Sequence, residues 1–213
     1  MEVSNEELAL RHPFTLVASG STGSGKTEWI KKLLQNTLII NPPPQKIVYF
    51  YSIWQKAYDE MRAFNPDITF IEGVPTVFPT GLQRELWILD DLQAEIEDSK
   101  DVIVNLFTKG SHHKNVSIVL ILQNFFNKGK SIREITLNAH YLVLFKNVRD
   151  RTQIRSLGLQ MFPTNVKFLQ SAYEQATQKP FTYLFVDLKP ETREQLRLRG
   201  NLFSGNQEVY IPV

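Results

Sequence analysis

The sequence predicts an α/β fold with a mostly parallel central sheet flanked by helices. Apolar segments rich in β-branched and aromatic residues alternate along the chain with segments of helical periodicity, the order that builds a parallel sheet. Several apolar segments are continuously hydrophobic, as strands covered on both faces must be. A glycine-rich turn also follows the first strand and opens the first helix, which is where such folds bind phosphate groups.

Each element is predicted from its own pattern. Strands are expected at residues 14–18, 47–51, 68–71, 86–89, 116–122, 141–145 and 183–186. Helices are expected at residues 26–35, 54–64, 99–110, 150–157, 163–178 and 190–199. Ser99 and Thr164 are expected to cap the third and fifth of these helices. Residues 206–213 are expected to form a short extended tail that packs on an edge.

Length and composition indicate a single globular domain. The 213 residues are 42% hydrophobic and 22% charged, and we expect a core at residues 13–187, followed by a C-terminal helix and extended tail at residues 188–213. No apolar run approaches the roughly 20 residues that span a bilayer, so no membrane span is expected. The acidic first residues do not resemble a signal peptide, so secretion is not expected. The absence of cysteine excludes disulfides and thiolate metal sites.

The charges are distributed unevenly along the chain. Residues 1–108 carry 9 basic and 15 acidic side chains, whereas residues 109–213 carry 15 basic and 7 acidic ones. A basic half is typical of a protein that binds a polyanion, although scattered charges on a solvated surface would give the same count. The basic stretches at residues 109–114 and 127–130 are candidate contacts to such a partner, and both are also compatible with plain surface.

The strongest motif is a complete G-x-x-x-x-G-K-[ST] phosphate loop. The loop consists of Gly20, Ser21, Thr22, Gly23, Ser24, Gly25, Lys26 and Thr27. Backbone N–H groups of such a turn, together with the N-terminus of the helix that follows, surround the phosphates of a nucleotide. Lys26 is predicted to reach the β- and γ-phosphates, and Thr27 to place its hydroxyl oxygen on Mg²⁺. ATP and Mg²⁺ are therefore the expected ligands.

Two later strands end in polar residues that suit the other half of a hydrolytic site. The strand at residues 86–89 is followed by Asp90, predicted to hold Mg²⁺ or its water shell, and by Asp91, the candidate base for the attacking water. The strand at residues 116–122 is followed by Gln123, the candidate sensor of the γ-phosphate. The alternatives are that the aspartates only begin a turn and that the amide only caps a strand. His112 and His113 are adjacent in sequence, so their side chains are not expected to bind the same metal ion.

Three arginines are candidates for a cation that stabilises the developing charge in phosphoryl transfer. Arg149 and Arg151 follow the strand at residues 141–145, and Arg133 precedes that strand. Such an arginine is often supplied by a neighbouring subunit. On composition alone these residues are ordinary surface arginines.

Four motifs in this order resemble a known family. The segments GSTGSGKT, WILDD, HHKNVSIVLILQN and FKNVRDRTQI are similar to those of the poxvirus-type genome-packaging ATPases, which occur in DNA viruses and in Polinton/Maverick or adintovirus-like elements and belong to the FtsK–HerA superfamily. The resemblance covers residues 13–186. It implies a RecA-like P-loop NTPase core of the additional-strand class, in which an extra strand separates the phosphate-loop strand from the Asp90 strand.

The resemblance also implies a function. It implies a homo-oligomeric ring that hydrolyses ATP to move double-stranded DNA, independently of base sequence, into a preformed capsid with a capsid or portal protein as partner. The protein would act at the sites of virion assembly, in the cytoplasm or the nucleus of the host cell. Lys26, Thr27, Asp90 and Gln123 take the matching roles, and Arg149 stands in the region of the arginine finger that acts in trans, ahead of Arg151 and Arg133.

The chain departs from the superfamily at Asp91, where glutamate is usual, which leaves the identity of the catalytic base open. Two other classes of function also stay open from the sequence. A small-molecule kinase would share the phosphate loop, and a nucleotide-dependent interaction protein would bind ATP without turnover.

Overall fold

The computed structural model describes residues 4–98, 101–125, 129–149 and 151–212. Within this part of the chain, the central sheet has nine strands in the order β11-β10-β9-β8-β2-β7-β6-β4-β5. Its strands are β2 (Thr15–Ser19), β4 (Lys46–Tyr51), β5 (Thr69–Glu72), β6 (Glu85–Asp90), β7 (Val116–Leu122), β8 (Tyr141–Phe145), β9 (Tyr183–Asp187), β10 (Leu198–Gly200) and β11 (Glu208–Val209). Two short strands, β1 (Leu10–Arg11) and β3 (Ile40–Asn41), pair separately.

Helices cover both faces of the sheet. They are α1 (Asn5–Leu8), α2 (Lys26–Gln35), α3 (Lys56–Phe64), α4 (Gln93–Asp98), α5 (Asp101–Asn105), α6 (Ser111–His113), α7 (Lys130–Leu137), α8 (Arg151–Met161) and α9 (Val166–Ala176). A π-helical turn at Leu106–Gly110 joins α5 to α6, and a 3₁₀ turn at Glu194–Leu196 precedes β10. None of the helices in the described ranges combines the length and the apolar character that a membrane crossing requires.

The parallel part of the sheet determines where the polar strand ends meet. The pairs β5·β4, β4·β6, β6·β7, β7·β2 and β2·β8 are all parallel, whereas β9, β10 and β11 continue the sheet in antiparallel fashion. Strand β7 lies between β2 and β6. This order confirms the predicted additional strand and places the carboxyl ends of β2, β7 and β6 side by side at one edge.

Alternate residues of the central strands pack into two separate cores, because successive side chains of a strand point to opposite faces. Leu120 and its neighbours pack under α7, α8 and α9 on one face, whereas Val119 belongs to the core beneath α2 and α3 on the other. Every residue of β2, β6, β7 and β8 is buried. Burial on both faces explains why these strands are continuously hydrophobic in sequence.

The helix predicted at residues 190–199 is wrong. The chain instead makes the 3₁₀ turn and then β10, which pairs antiparallel with β9. Leu198 and Arg199 are fully buried in this strand, and the Arg199 guanidinium lies 4.6 Å from the ring of Phe185 and 3.4 Å from an oxygen of Asp187. Pairing and burial against β9 therefore override the local helix propensity. The tail prediction is confirmed, because β11 pairs with β10 at the sheet edge.

Helix boundaries account for most of the other differences. Asn165 is the N-cap residue of α9 and lies in a turn in which its N–H donates to the Phe162 carbonyl, so the predicted cap at Thr164 is wrong. The third predicted helix continues through the π-helical turn to His113. Helices α1, α4 and α7 were not predicted, because each is only four to eight residues long. Ser99 and Asp150, expected to begin two helices, lie outside the described residues.

Candidate functional site

The glycine-rich motif forms a tight turn between β2 and α2. Gly25 is the N-cap residue of α2 and has a φ of 108°, a conformation in which a side chain would be strained. A Cβ atom on Gly20 would lie 2.5 Å from Cβ of Phe145 and 2.6 Å from Oγ of Ser24. The N–H of Gly20 donates to the Leu122 carbonyl, which ties the loop to the end of β7. Both glycines are therefore required by the shape of the loop.

Lys26 is hydrogen-bonded to the loop and interacts electrostatically with two carboxylates. Its Nζ atom donates to the carbonyl oxygens of Gly20 and Ser21, the latter at 3.0 Å. Burial lowers the pKa of Lys26, and the negative charges of Asp90 and Asp91 oppose this shift. The cation predicted for the phosphates thus lies at the same edge as the two predicted carboxylates.

Asp90 is the last residue of β6 and is almost completely buried. Its Oδ2 atom accepts hydrogen bonds from the hydroxyl groups of Tyr49 at 2.7 Å and Tyr58 at 2.9 Å. Burial raises the pKa of Asp90, whereas the two hydroxyl groups and Lys26 favour its charged form. Sequence analysis missed both tyrosines, which come from β4 and α3 and belong to no local motif.

Asp91 and Gln123 meet at the ends of neighbouring strands. Nε2 of Gln123 donates to Oδ1 of Asp91 at 3.2 Å, and both side chains are exposed. Asp91 adopts a left-handed backbone conformation with a φ of 56°, which turns the chain away directly after β6. The structure therefore joins the predicted base and the predicted sensor in one hydrogen-bonded pair.

The three candidate arginines are exposed. Arg149 follows β8, Arg151 begins α8, and Arg133 lies on α7. No ion pair in the described part of the chain joins any of these three side chains to Asp90 or Asp91.

The loop that carries Arg149 is nevertheless anchored next to the site. The N–H of Arg149 donates to Oδ1 of the buried Asn147 at 3.1 Å. The side chain of Asn147 donates in turn to Oδ1 of Asn124, the residue after Gln123, and its own N–H donates to the hydroxyl of Tyr173. The Arg149 backbone is thus linked to the end of β7 through one buried amide.

The candidate polyanion contacts fall partly outside what the structure describes. Residues 127 and 128 and the side chains of Lys109 and His112 lie outside the described residues. Lys114 is described, and its ammonium lies 5.7 Å from the ring of Phe78.

The donors at this edge fit a nucleotide with Mg²⁺. The loop presents backbone N–H groups and the Lys26 ammonium, which suit phosphate oxygens. The Thr27 hydroxyl at the start of α2 and Oδ1 of Asp90 are hard oxygen donors of the kind that Mg²⁺ prefers. The described residues place no hydrogen bond on Oδ1 of Asp90, since both bonds to this carboxylate end on Oδ2.

Comparisons with known proteins support the fold. No family model matches the chain, and a search of curated protein sequences found no match. Among solved structures, the genome packaging NTPase B204 from Sulfolobus turreted icosahedral virus 2 in complex with sulfate is similar, with a TM-score of 0.55 and 10% identity over 94% of this chain and 97% of that chain. Its complex with ATP-gammaS gives a TM-score of 0.54 and 11% identity over 94% and 98%. At such identities the similarity establishes a shared P-loop NTPase fold.

Proposed function

We propose that this protein is an ATPase that moves double-stranded DNA into a preformed viral capsid. The single observation that carries the ATPase part is the convergence of the phosphate loop, Lys26, the buried Asp90 and the Asp91–Gln123 pair on one edge of the sheet. These groups come from three segments, at the ends of β2, β6 and β7, and the strand order β2-β7-β6 puts them together.

The reaction is attack of water on the γ-phosphorus, with cleavage of its bond to the β,γ-bridging oxygen. Lys26 and the loop N–H groups bind the phosphates and stabilise the charge that develops on the leaving group. Asp91 accepts the proton of the attacking water, and Gln123 orients Asp91 through its hydrogen bond. Asp90 and Thr27 would hold Mg²⁺, which would neutralise charge on the β- and γ-phosphates when bound.

DNA translocation is supported by three further observations. The four motifs resemble packaging ATPases, the fold is shared with a viral genome packaging NTPase along nearly its whole length, and the second half of the chain is basic. We propose that the chain is one ATPase domain, that it acts as a ring on a capsid or portal protein, and that it works where virions assemble in the host cell.

The first test is whether DNA stimulates ATP hydrolysis. We expect double-stranded DNA of any sequence to raise the rate, and DNA affinity to fall steeply between 50 and 200 mM salt, by about 10³-fold if six phosphates are contacted. The rate is measured by phosphate release and the affinity by fluorescence anisotropy, with scrambled duplexes as controls. Loss of ATP that requires a small-molecule acceptor and releases no inorganic phosphate would identify a kinase, and ATP binding without turnover would identify an interaction protein.

A second test replaces the candidate base. Asp91→Asn should bind ATP normally but hydrolyse it about 10² to 10⁴-fold more slowly, because an amide cannot accept the proton from water. Asp98→Asn, which changes an exposed carboxylate at the end of α4, is the matched control and should keep the wild-type rate. Single-turnover hydrolysis and nucleotide affinity measure the two effects. A wild-type rate in Asp91→Asn would show that the base lies elsewhere.

A further inference from the structure

Two buried tyrosines hold one oxygen of Asp90. Tyr49 comes from β4 and Tyr58 from α3, and both side chains are inaccessible to solvent. Their hydroxyl groups lie 2.7 and 2.9 Å from the same atom, Oδ2. The two rings also pack against each other, with centroids 4.9 Å apart. The carboxylate is therefore bound from two different elements at a single oxygen.

This arrangement fixes the rotation of the carboxylate. A carboxylate with one donor can turn about its Cβ–Cγ bond, whereas two donors that approach Oδ2 from β4 and α3 restrain its plane. The remaining oxygen, Oδ1, thus has one defined orientation.

A surrounding aromatic cluster keeps Tyr58 in place. Its ring contacts those of Trp54 and Phe70 at centroid distances of 5.5 and 5.8 Å. The guanidinium of Arg62 stacks over Trp54 at 4.7 Å and also lies over Phe70. Such aromatic and cation–π contacts stabilise this arrangement of the rings around Tyr58. The orientation of Tyr58, and through it that of Asp90, is therefore set by packing.

We propose that Tyr49 and Tyr58 are positioning residues that present Oδ1 of Asp90 to Mg²⁺ or to its water shell. The inference rests on the proposed function, since it requires Asp90 to serve the metal. Mg²⁺ demands near-ideal octahedral geometry, and groups that orient a metal-binding carboxylate typically change metal affinity by about 10 to 100-fold when they are removed. The tyrosines would act on metal-dependent binding without touching the nucleotide.

The test compares nucleotide affinity with and without Mg²⁺. Tyr49→Phe and Tyr58→Phe each keep the ring and remove only the hydroxyl group. Tyr51→Phe is the matched control, because Tyr51 lies on the same strand with its ring 5.6 Å from that of Tyr58, whereas both hydroxyl groups on Asp90 come from the other two tyrosines. Titration calorimetry with ATP is run in Mg²⁺ and in EDTA, and thermal melts check that each variant folds.

We expect each single variant to weaken ATP binding about 10-fold or more in Mg²⁺ and to leave the affinity in EDTA unchanged, with Tyr51→Phe unchanged in both. Equal loss in Mg²⁺ and EDTA, or no loss at all, would overturn the inference. Asp90→Ala in the same assay distinguishes failure of this inference from failure of the metal role proposed for Asp90. If Asp90→Ala abolishes the effect of Mg²⁺ and the tyrosine variants do not reduce it, only the inference fails. If Asp90→Ala also leaves the Mg²⁺ effect intact, the metal role of Asp90 fails and the inference fails with it.

Discussion

Replacing Lys26 with alanine should nearly abolish ATP hydrolysis. The ammonium of Lys26 lies within the phosphate loop and in the electrostatic field of both carboxylates, which is where the β- and γ-phosphates would bind. A cation at this place stabilises charge that grows in the transition state, in a half-buried site where screening by water is weak. Loss of one such group lowers the rate by at least about 10²-fold.

Lys26→Ala should also weaken ATP binding, because the same ammonium is expected to bind the ground-state phosphates. The matched control is Lys32→Ala, which removes an exposed lysine from the last turn of α2 and should preserve both rate and affinity. Steady-state phosphate release and titration of a fluorescent ATP analogue measure the two effects. If Lys26→Ala hydrolyses ATP at the wild-type rate, the phosphate loop is not part of the hydrolytic site and the proposed site is wrong.

The phosphate loop was predictable because its determinants are contiguous. Eight successive residues specify the turn, and the strand and helix on either side follow from local patterns. The meeting of Asp91 and Gln123 was predictable in outline, since the ends of adjacent parallel strands share an edge. Their hydrogen bond was not, because it depends on the left-handed backbone at Asp91, and aspartate also adopts other conformations.

The tyrosines on Asp90 were not predictable from the sequence. Tyr49 and Tyr58 lie 41 and 32 residues before Asp90, in elements that otherwise show ordinary core patterns. The helix predicted at residues 190–199 failed for a related reason. Local propensity favoured a helix, but Leu198 and Arg199 gain more by burial against β9, a contact that requires the tertiary fold.

The site is expected to be completed by an arginine of a neighbouring subunit, and Arg149 is the first candidate, ahead of Arg151 and Arg133. Within the described residues none of the three forms an ion pair with Asp90 or Asp91. The Arg149 side chain is exposed, whereas its backbone is held by Asn147 next to the end of β7. A rigidly anchored backbone with a free-standing cation suits a residue that acts across an interface.

Arg149→Ala should therefore bind ATP normally yet hydrolyse it at least about 10³-fold more slowly, since an arginine finger contributes roughly 10³ to 10⁵ to the rate of phosphoryl transfer. Arg155→Ala, which removes another exposed arginine about one turn into α8, is the control and should hydrolyse ATP at the wild-type rate. A large loss in Arg155→Ala would mean that charge on this surface, and not one residue, matters.

Mixing two inactive variants tests whether the arginine acts in trans. Lys26→Ala subunits keep Arg149, and Arg149→Ala subunits keep the phosphate loop, so a mixed ring contains interfaces that pair an intact loop with an intact arginine. Phosphate release should return in such mixtures and peak at intermediate ratios, whereas each variant alone stays inactive. Formation of mixed rings is checked by pull-down with two affinity tags. If mixed rings form and no ratio restores hydrolysis, Arg149 acts within its own subunit or serves the structure of the loop, and the arginine that completes the site must be sought elsewhere.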